Sequence, residues 1–361
     1  MNDSDKIPTA VLGASGYIGQ HFVRLLAHHP TFAPPLLVGG ERSEGQRLGE
    51  LWQLTEELPG ELAGERFRRC TPAQLRREGV QVVFGAIPSG LAGPVEAECR
   101  RRGLHVFTNS ADHRMDPDVP LLIPEVNPQH LRALAGRSRN RGLLVANPNC
   151  TATGLVLALA PVWPLLSARA VHVTTFQALS GAGFPGVASL SIMDNVVPYI
   201  SHEEEKVAEE SNRILGAVRS GRIVPNRVPV LAHCARVGVR DGHLEAVTVE
   251  AQAVPTIEAL RRAWTEFDPL RDMRLPTAPH PPVELRPQVD RPQPGRDRWA
   301  GRPERARGMA AVVGRIRWNP PYLRFFVLSH NAVRGGAGGS VLNAELAASL
   351  NLLRLPRSTV S

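Results

Sequence analysis

Short apolar runs alternate with helical spacing through the first part of the chain. Residues 7–12, 36–38, 81–87, 104–107 and 142–146 are nearly continuous in apolar side chains, as strands buried on both faces are. Between them, Phe22, Val23, Leu25 and Leu26 recur at helical intervals, and residues 92–102 form a second helical stretch. This alternation predicts an α/β fold with a doubly wound parallel sheet of the Rossmann type. Beyond residue 150 the pattern changes. Residues 170–177 and 244–251 alternate in polarity like half-buried strands, which predicts a second, α+β domain with an antiparallel or mixed sheet. The proline-rich stretch 275–295 predicts an ordered, irregular connection. Ser201 and Glu204 have capping-box spacing and predict a helix from Ser201 to Leu215. The run Gly335-Gly336-Ala337-Gly338-Gly339 predicts a loop before a last helix that packs on the N-terminal domain. The expected organisation is 1–149, completed by 331–361, and 150–330.

At 361 residues, two domains accord with the usual domain size, and 43% apolar residues supply sizeable cores. No apolar run has membrane-spanning length and the first residues lack a signal-peptide pattern, so a cytoplasmic protein without a membrane partner is expected. The formal charge of +8 comes from scattered arginines, and aromatic residues make up 5%. That combination argues against a nucleic-acid surface, which needs a basic stripe and stacking rings. Cys70, Cys99, Cys150 and Cys234 stand far apart with no histidine at ligand spacing, so neither a metal site nor a disulfide framework is expected. Lysine has almost vanished: Lys6 and Lys206 are the only two. A compact ammonium kept where arginine is abundant suits a tight site for a small anion, and chance survival is the competing reading.

Three segments carry candidate chemistry. Gly13-Ala14-Ser15-Gly16-Tyr17-Ile18-Gly19 lies between a strand and a helix, the context of a dinucleotide fingerprint whose pyrophosphate rests on the helix N-terminus. After the second strand, Glu41 would accept from a free ribose hydroxyl and favour NAD. Arg42 and Ser43 would meet a 2'-phosphate and tilt the expectation to NADP. Asn147-Pro148-Asn149-Cys150-Thr151-Ala152 puts a thiol where a strand meets a helix, and the dipole there favours thiolate. The bland alternative is a cysteine filling a core gap. A thiol nucleophile beside a nucleotide site suggests redox chemistry at the acyl level with a histidine for proton transfer. His243, between two expected strands, is the candidate, against a surface histidine in a hairpin turn. Glu203 and Lys206 share a helix face, as ligand groups or as a solvated ion pair. Ser180-Gly181-Ala182-Gly183 is a second glycine-rich loop, too short for a P-loop.

Together these segments resemble the aspartate-semialdehyde dehydrogenases of the archaeal and fungal-type branch. The likeness runs through GASGYIGQ, PLLIPEVN, NPNCTATG, QALSGAGFPG, NVVPYISHEEEK, CARVGVRDGH, RPQP and HNAVRGGAGGSVLNAEL, in that order. It implies reversible reductive dephosphorylation of L-aspartyl 4-phosphate by NADPH, feeding lysine, threonine and methionine synthesis. It implies Cys150 as nucleophile, His243 as acid/base, and Asn149 and Gln177 as groups that orient the substrate and support a thioester. Arg236 would clamp the substrate carboxylate, Glu203 meet its ammonium, and Lys206 and Arg114 meet phosphate. Gly13, Ala14, Ser15, Gly16, Tyr17, Ile18 and Gly19, with Arg42, Ser43, Ser180, Gly181 and Asn331, would hold NADP. The family resemblance further implies a homodimer or homotetramer. Gly40, at the expected 2'-phosphate site, departs from the family's usual serine, and Ala152, Ala235 and Leu244, beside the expected catalytic groups, depart from its usual threonine, asparagine and threonine. Related chemistry on malonyl-CoA or N-acetylglutamyl phosphate is the first alternative, and a non-catalytic NADP-binding sensor or scaffold the second.

Overall fold

The computed structural model describes residues 6–136 and 141–353, so residues 1–5 and the end of the expected 331–361 segment, 354–361, lie outside the described residues. The chain divides into two compact units.

The first unit gathers the residues to Leu122, Gln129–Asn147 and those from Ser340 on. Its sheet contains β1 (Thr9–Leu12), β2 (Leu36–Val38), β3 (Val82–Gly85), β4 (His105–Thr108) and β5 (Leu144–Ala146), in the order β2-β1-β3-β4-β5. Every neighbouring pair is parallel. β1, β3 and β4 are buried along their whole length, which is why their sequences read as unbroken apolar runs. The helices α1 (Tyr17–Leu26) and α2 (Ala92–Arg101) are amphipathic and bury Phe22, Val23 and Leu26, and Ala92 and Cys99, respectively. Phe84 forms the centre of an aromatic cluster with Phe22, Phe32 and Phe107 at centroid distances of 5.1, 5.7 and 6.0 Å. Each such ring stabilises the core by roughly 1.5–3 kcal/mol through burial. Strand order reverses between β1 and β3, so the loop leaving β1 opens at the topological switch point where doubly wound sheets take ligands. Within this unit Glu345 meets the Nε2 of His29 at 2.8 Å, both fully buried.

The second unit, Ile123–Pro128 with Pro148–Gly339, is built on a six-stranded mixed sheet. In chain order its strands are β6 (Ala168–Gln177), then β9 (Val230–Arg236), β10 (His243–Ala251), β11 (Val283–Arg286), β12 (Ala311–Asn319) and β13 (Tyr322–Ser329), after the small hairpin β7 (Ala217–Arg219) and β8 (Arg222–Val224). The sheet runs β11-β12-β13-β10-β6-β9. Strand β10 alternates strictly, with His243, Glu245, Val247, Val249 and Ala251 on its buried face. The helix α3 (Cys150–Leu159) is buried on every side beyond its first residue, because its sequence is apolar all round. It packs on β10, β12, β13 and α4 (Glu203–Ile214). From α5 (Ile257–Glu266), Trp264 donates its indole N–H to the Ala158 carbonyl at 2.7 Å.

Four sequence expectations change here. The 275–295 stretch holds a strand, β11, parallel to β12. The helix α4 starts at Glu203 after His202 in the left-handed region (φ 55°), with no side-chain cap, so the Ser201 capping box does not form. His243 does not belong to a hairpin turn, since β6 lies between β9 and β10. The glycine-rich run is wound, not looped: Val333–Ala337 forms a π-helical turn, broken at Gly336, that leads into helix Gly338–Ser349. Its glycines serve contact, because a Cβ at Gly335 would lie 2.5 Å from Cys150 Cβ and one at Gly338 2.5 Å from Met309 Sδ.

Candidate active site

Sheet geometry assembles the second unit's site. β6 and β9 run parallel and end side by side, with Gln177 in register with Arg236. β10 runs antiparallel to β6 and begins at the same edge with His243. Three neighbouring strand ends thus present Gln177, Arg236 and His243 together. Cys150 meets them as the first residue of α3, where Asn149 is the N-cap and its Oδ1 accepts from the amides of Thr151 (2.9 Å) and Ala152 (3.1 Å). Such a cap stabilises a helix by about 1 kcal/mol. Cys150 Sγ lies 3.2 Å from His243 Nε2. The core-filler reading of this thiol fails on that contact and on its partial exposure.

Glu203 ties the site together. Its Oε2 accepts from Asn149 Nδ2 at 2.9 Å, and its Oε1 accepts from Gln177 Nε2 at 2.9 Å and Thr151 Oγ1 at 3.2 Å. One carboxylate therefore links α4 to the cap of α3 and the end of β6. Two turns on, Glu210 accepts from the Asn149 amide at 2.6 Å. Lys206 stands half-buried on α4, and no ion pair joins it to Glu203 among the described residues. The surface-salt-bridge reading of that pair is thereby replaced: Glu203 is a buried hub.

Ala178, just past β6, holds two of the key side chains through its backbone. Its N–H donates to His243 Nδ1 at 3.0 Å, and its carbonyl accepts from Arg236 Nη1 at 2.7 Å. Gly181 passes so close that a Cβ there would lie 2.6 Å from Arg236 Nη1 and 3.3 Å from His243 Nε2. Asn331 accepts from the Gly242 amide at 2.9 Å and donates to Ser180 Oγ at 2.8 Å, so two residues expected near the nicotinamide are bonded to each other. His243 is fully buried; burial, Arg236 and His330 push its ring down to about 3, against the pull of Asp241. Burial also lowers Arg236, and burial with Glu203 nearby raises the Glu245 carboxyl well above its ordinary range.

In the first unit, Gly13 adopts φ 77° and its amide and that of Ala14 donate to the Val38 carbonyl at 2.9 and 3.1 Å. A Cβ at Gly13 would lie 2.6 Å from the Ala86 carbonyl oxygen, and one at Gly19 2.1 Å from that of Gly13. Gly16 caps α1 without a side chain. The first-turn amides reached through Ser15, Tyr17 and Ile18 therefore suit a diphosphate, and the loop fits a dinucleotide. Arg42 and Glu41 are exposed, while Ser43 is buried with its hydroxyl donated to Gly40 at 3.1 Å. Arg114 donates from Nε to the Asn147 carbonyl (3.0 Å) and from Nη2 to that of Asn109 (2.8 Å).

Residues 8–134 match the family profile described as semialdehyde dehydrogenase, NAD binding domain, and residues 159–334 that described as semialdehyde dehydrogenase, dimerisation domain. The aspartate-semialdehyde dehydrogenase of Archaeoglobus fulgidus is 44% identical over 93% of this chain and 96% of its own. The chain belongs to the aspartate-semialdehyde dehydrogenase family. The chain is also similar to a malonyl CoA reductase (NADP) of Metallosphaera sedula, 39% identical over 94% of this chain and 96% of the other. The crystal structure of aspartate semialdehyde dehydrogenase with NADP from Candida albicans superposes with a TM-score of 0.86 at 33% identity, over 96% of this chain and 99% of that one.

Two of the positions expected to depart from the aspartate-semialdehyde dehydrogenase pattern, Ala235 and Leu244, lie on the far side of the sheet from the reacting groups. Ala235, Phe176 and Leu244 form one row across β9, β6 and β10, on the sheet face opposite Arg236, Gln177 and His243. Ala152 is buried within α3. Sequence reading missed Ala178, Glu210 and Glu245. Ala178 acts through its backbone and leaves no side-chain signal, whereas Glu245 was visible as an acid on the apolar face of an alternating strand. No group of three or more potential metal ligands occurs, and no helix is long and apolar enough to cross a membrane, among the described residues.

Proposed function

We propose that the protein interconverts L-aspartyl 4-phosphate and L-aspartate 4-semialdehyde, with NADP as the nicotinamide partner and a thioester on Cys150 as the acyl carrier. The observation that carries this reading is the 3.2 Å contact between Cys150 Sγ and His243 Nε2 beside a buried guanidinium, Arg236. The Archaeoglobus relative's name and the NADP-bound Candida enzyme support the choice of acyl group and cofactor. Cys150 bonds to the acyl carbon, favoured as a thiolate by the amide dipoles at the start of α3. Arg236 has Nη1 committed to Ala178, which leaves its Nε–Nη2 edge for a two-pronged grip on the substrate carboxylate. Glu203 already takes three donors and offers its remaining acceptor capacity to the substrate ammonium. Lys206 and Arg114 are the cations assigned to phosphate, and Gln177 and Asn149 orient the acyl group. NADPH, when bound, supplies the hydride that reduces the thioester carbon. A homodimer is part of the same reading, supported by exposed Leu190, Met193, Val196 and Tyr199 in the region matching the dimerisation domain.

The test is nicotinamide reduction by the purified protein with aspartate semialdehyde and phosphate, NADP against NAD. Parallel arms use malonate semialdehyde with coenzyme A and N-acetylglutamate semialdehyde with phosphate. Phosphate-dependent NADP reduction specific to aspartate semialdehyde is expected, with a loss of about a thousand-fold or more in Cys150→Ala. Turnover confined to the coenzyme A arm, or undiminished turnover in the variant, would overturn the assignment.

A further inference from the structure

We infer that Gln20 is a positioning residue of the dinucleotide site: its carboxamide holds the Ser15 carbonyl inward, off a bound diphosphate, and ties the glycine loop to the segment that leads from Arg42 and Ser43. This rests on the nicotinamide dinucleotide reading of the loop after β1.

A backbone site for an anion needs amides facing the ligand and carbonyls occupied elsewhere. Much of this is done by the main chain. The Gly13 and Ala14 amides donate to the Val38 carbonyl, the Gly16 amide to the Gly13 carbonyl at 3.0 Å, and the Gln20 amide to the Gly16 carbonyl at 2.9 Å. The amides of Ser15 and Ile18 meet no acceptor among the described residues, which leaves them as donors for a ligand. The Ser15 carbonyl has no main-chain partner among the described residues either. Gln20 Nε2 donates to it at 2.9 Å from a side chain that is fully buried, so this oxygen faces the interior.

The same carboxamide reaches a second segment. Its Nε2 also donates to the Leu51 carbonyl at 2.9 Å, and its Oε1 accepts from the Gln53 amide at 2.9 Å. These two bonds fix the end of the short helical turn Leu48–Leu51. Upstream of that turn, Gln46 Nε2 donates to the Arg42 carbonyl at 2.6 Å. One buried side chain thus connects the diphosphate loop with the stretch expected to meet the adenosine end.

The three partners specify a carboxamide. Two carbonyls need two donors and one amide needs an acceptor, all at the end of a three-carbon stem. Ionised glutamate has no donor, lysine and arginine have no acceptor, and asparagine is one methylene short. A flipped amide would set its oxygen against two carbonyls and its NH2 against the Gln53 N–H, so the orientation follows from the partners.

Without this side chain the Ser15 carbonyl is released to turn toward the diphosphate, where its partial negative charge opposes binding. The adenosine end keeps bonds of its own, from the Ser43 amide to the Gly40 carbonyl at 3.1 Å and from the Gly45 amide to the Phe67 carbonyl at 2.9 Å. Affinity that depends on the diphosphate is therefore what Gln20 contributes.

The experiment is calorimetric titration of the full-length protein with NADP, with NAD in parallel, and with adenosine 2'-monophosphate, which carries the adenosine end and no diphosphate. Gln20→Met keeps the length and removes the carboxamide; Gln20→Glu keeps the acceptor for the Gln53 amide, removes both donors, and serves if the methionine variant does not fold. In either variant the Kd for NADP is expected to rise about ten-fold, while that for the monophosphate changes by less than about two-fold. Unchanged NADP affinity, or equal weakening of both probes, overturns the inference and leaves the cofactor reading standing. A parent that binds NAD alone is compared in the same way with adenosine as the fragment. A parent that binds neither dinucleotide overturns the cofactor reading and this inference with it.

Discussion

A single methyl group at position 181 probes how tightly the site's side chains are fixed. The Gly181 backbone is exposed, but a Cβ on it would come within 2.6 Å of Arg236 Nη1 and 3.2 Å of His243 Cε1. In Gly181→Ala the guanidinium must yield, and displacement by a fraction of an ångström at a positioning group lowers rate steeply. We expect kcat/KM for the semialdehyde to fall about ten- to a hundred-fold, while the unfolding free energy changes by less than about 0.5 kcal/mol. Unaltered kcat/KM would mean that Arg236 does not grip substrate. Sequence reading found Gly181 as part of a second glycine-rich loop, and the family resemblance placed it near the cofactor. The reason for a glycine there is a neighbour 62 positions away, His243, and such contacts leave no trace in local spacing.

At the scale of elements, β10 carries both the clearest sequence signal and a concealed cost. Its strict alternation made the strand legible, and the buried parallel strands of the first unit were legible for the related reason that both their faces are covered. The errors were tertiary in origin. β11 is hidden among prolines because its pairing with β12 is non-local, and the glycines after Val333 looked like a loop because their packing against Cys150 and Met309 cannot be read from the run itself. The cost lies in Glu245, whose two oxygens find no partner and whose carboxyl is raised by burial. Below the unfolded-state range the group is protonated in both states and penalises neither. As pH rises above it, the unfolded chain releases this proton and the folded one retains it, so stability falls with rising pH. Glu245→Gln removes that dependence. Urea unfolding should show the variant gaining stability over the parent between about pH 5 and about pH 8, and a constant difference across that range would refute a protonated Glu245.

For the molecule as a whole, the apolar residues left uncovered matter as much as the core. Leu190 is 89% and Tyr199 67% exposed, and side chains of that size normally find cover. On the proposed homodimer, the double variant Leu190→Glu and Tyr199→Glu is expected to sediment more slowly than the parent, as a monomer, and an unchanged sedimentation coefficient would move the interface elsewhere. The four thiols also divide at this scale. Burial raises Cys70 above its ordinary range and pushes Cys99 and Cys234 up to about 12, while Cys150 alone stands at a helix start beside an imidazole ring and a guanidinium. A mild electrophile supplied in slight excess will consequently add a single mass increment per chain, which makes the protein its own active-site titrant: the fraction of molecules carrying the tag reports the fraction competent for turnover in any preparation.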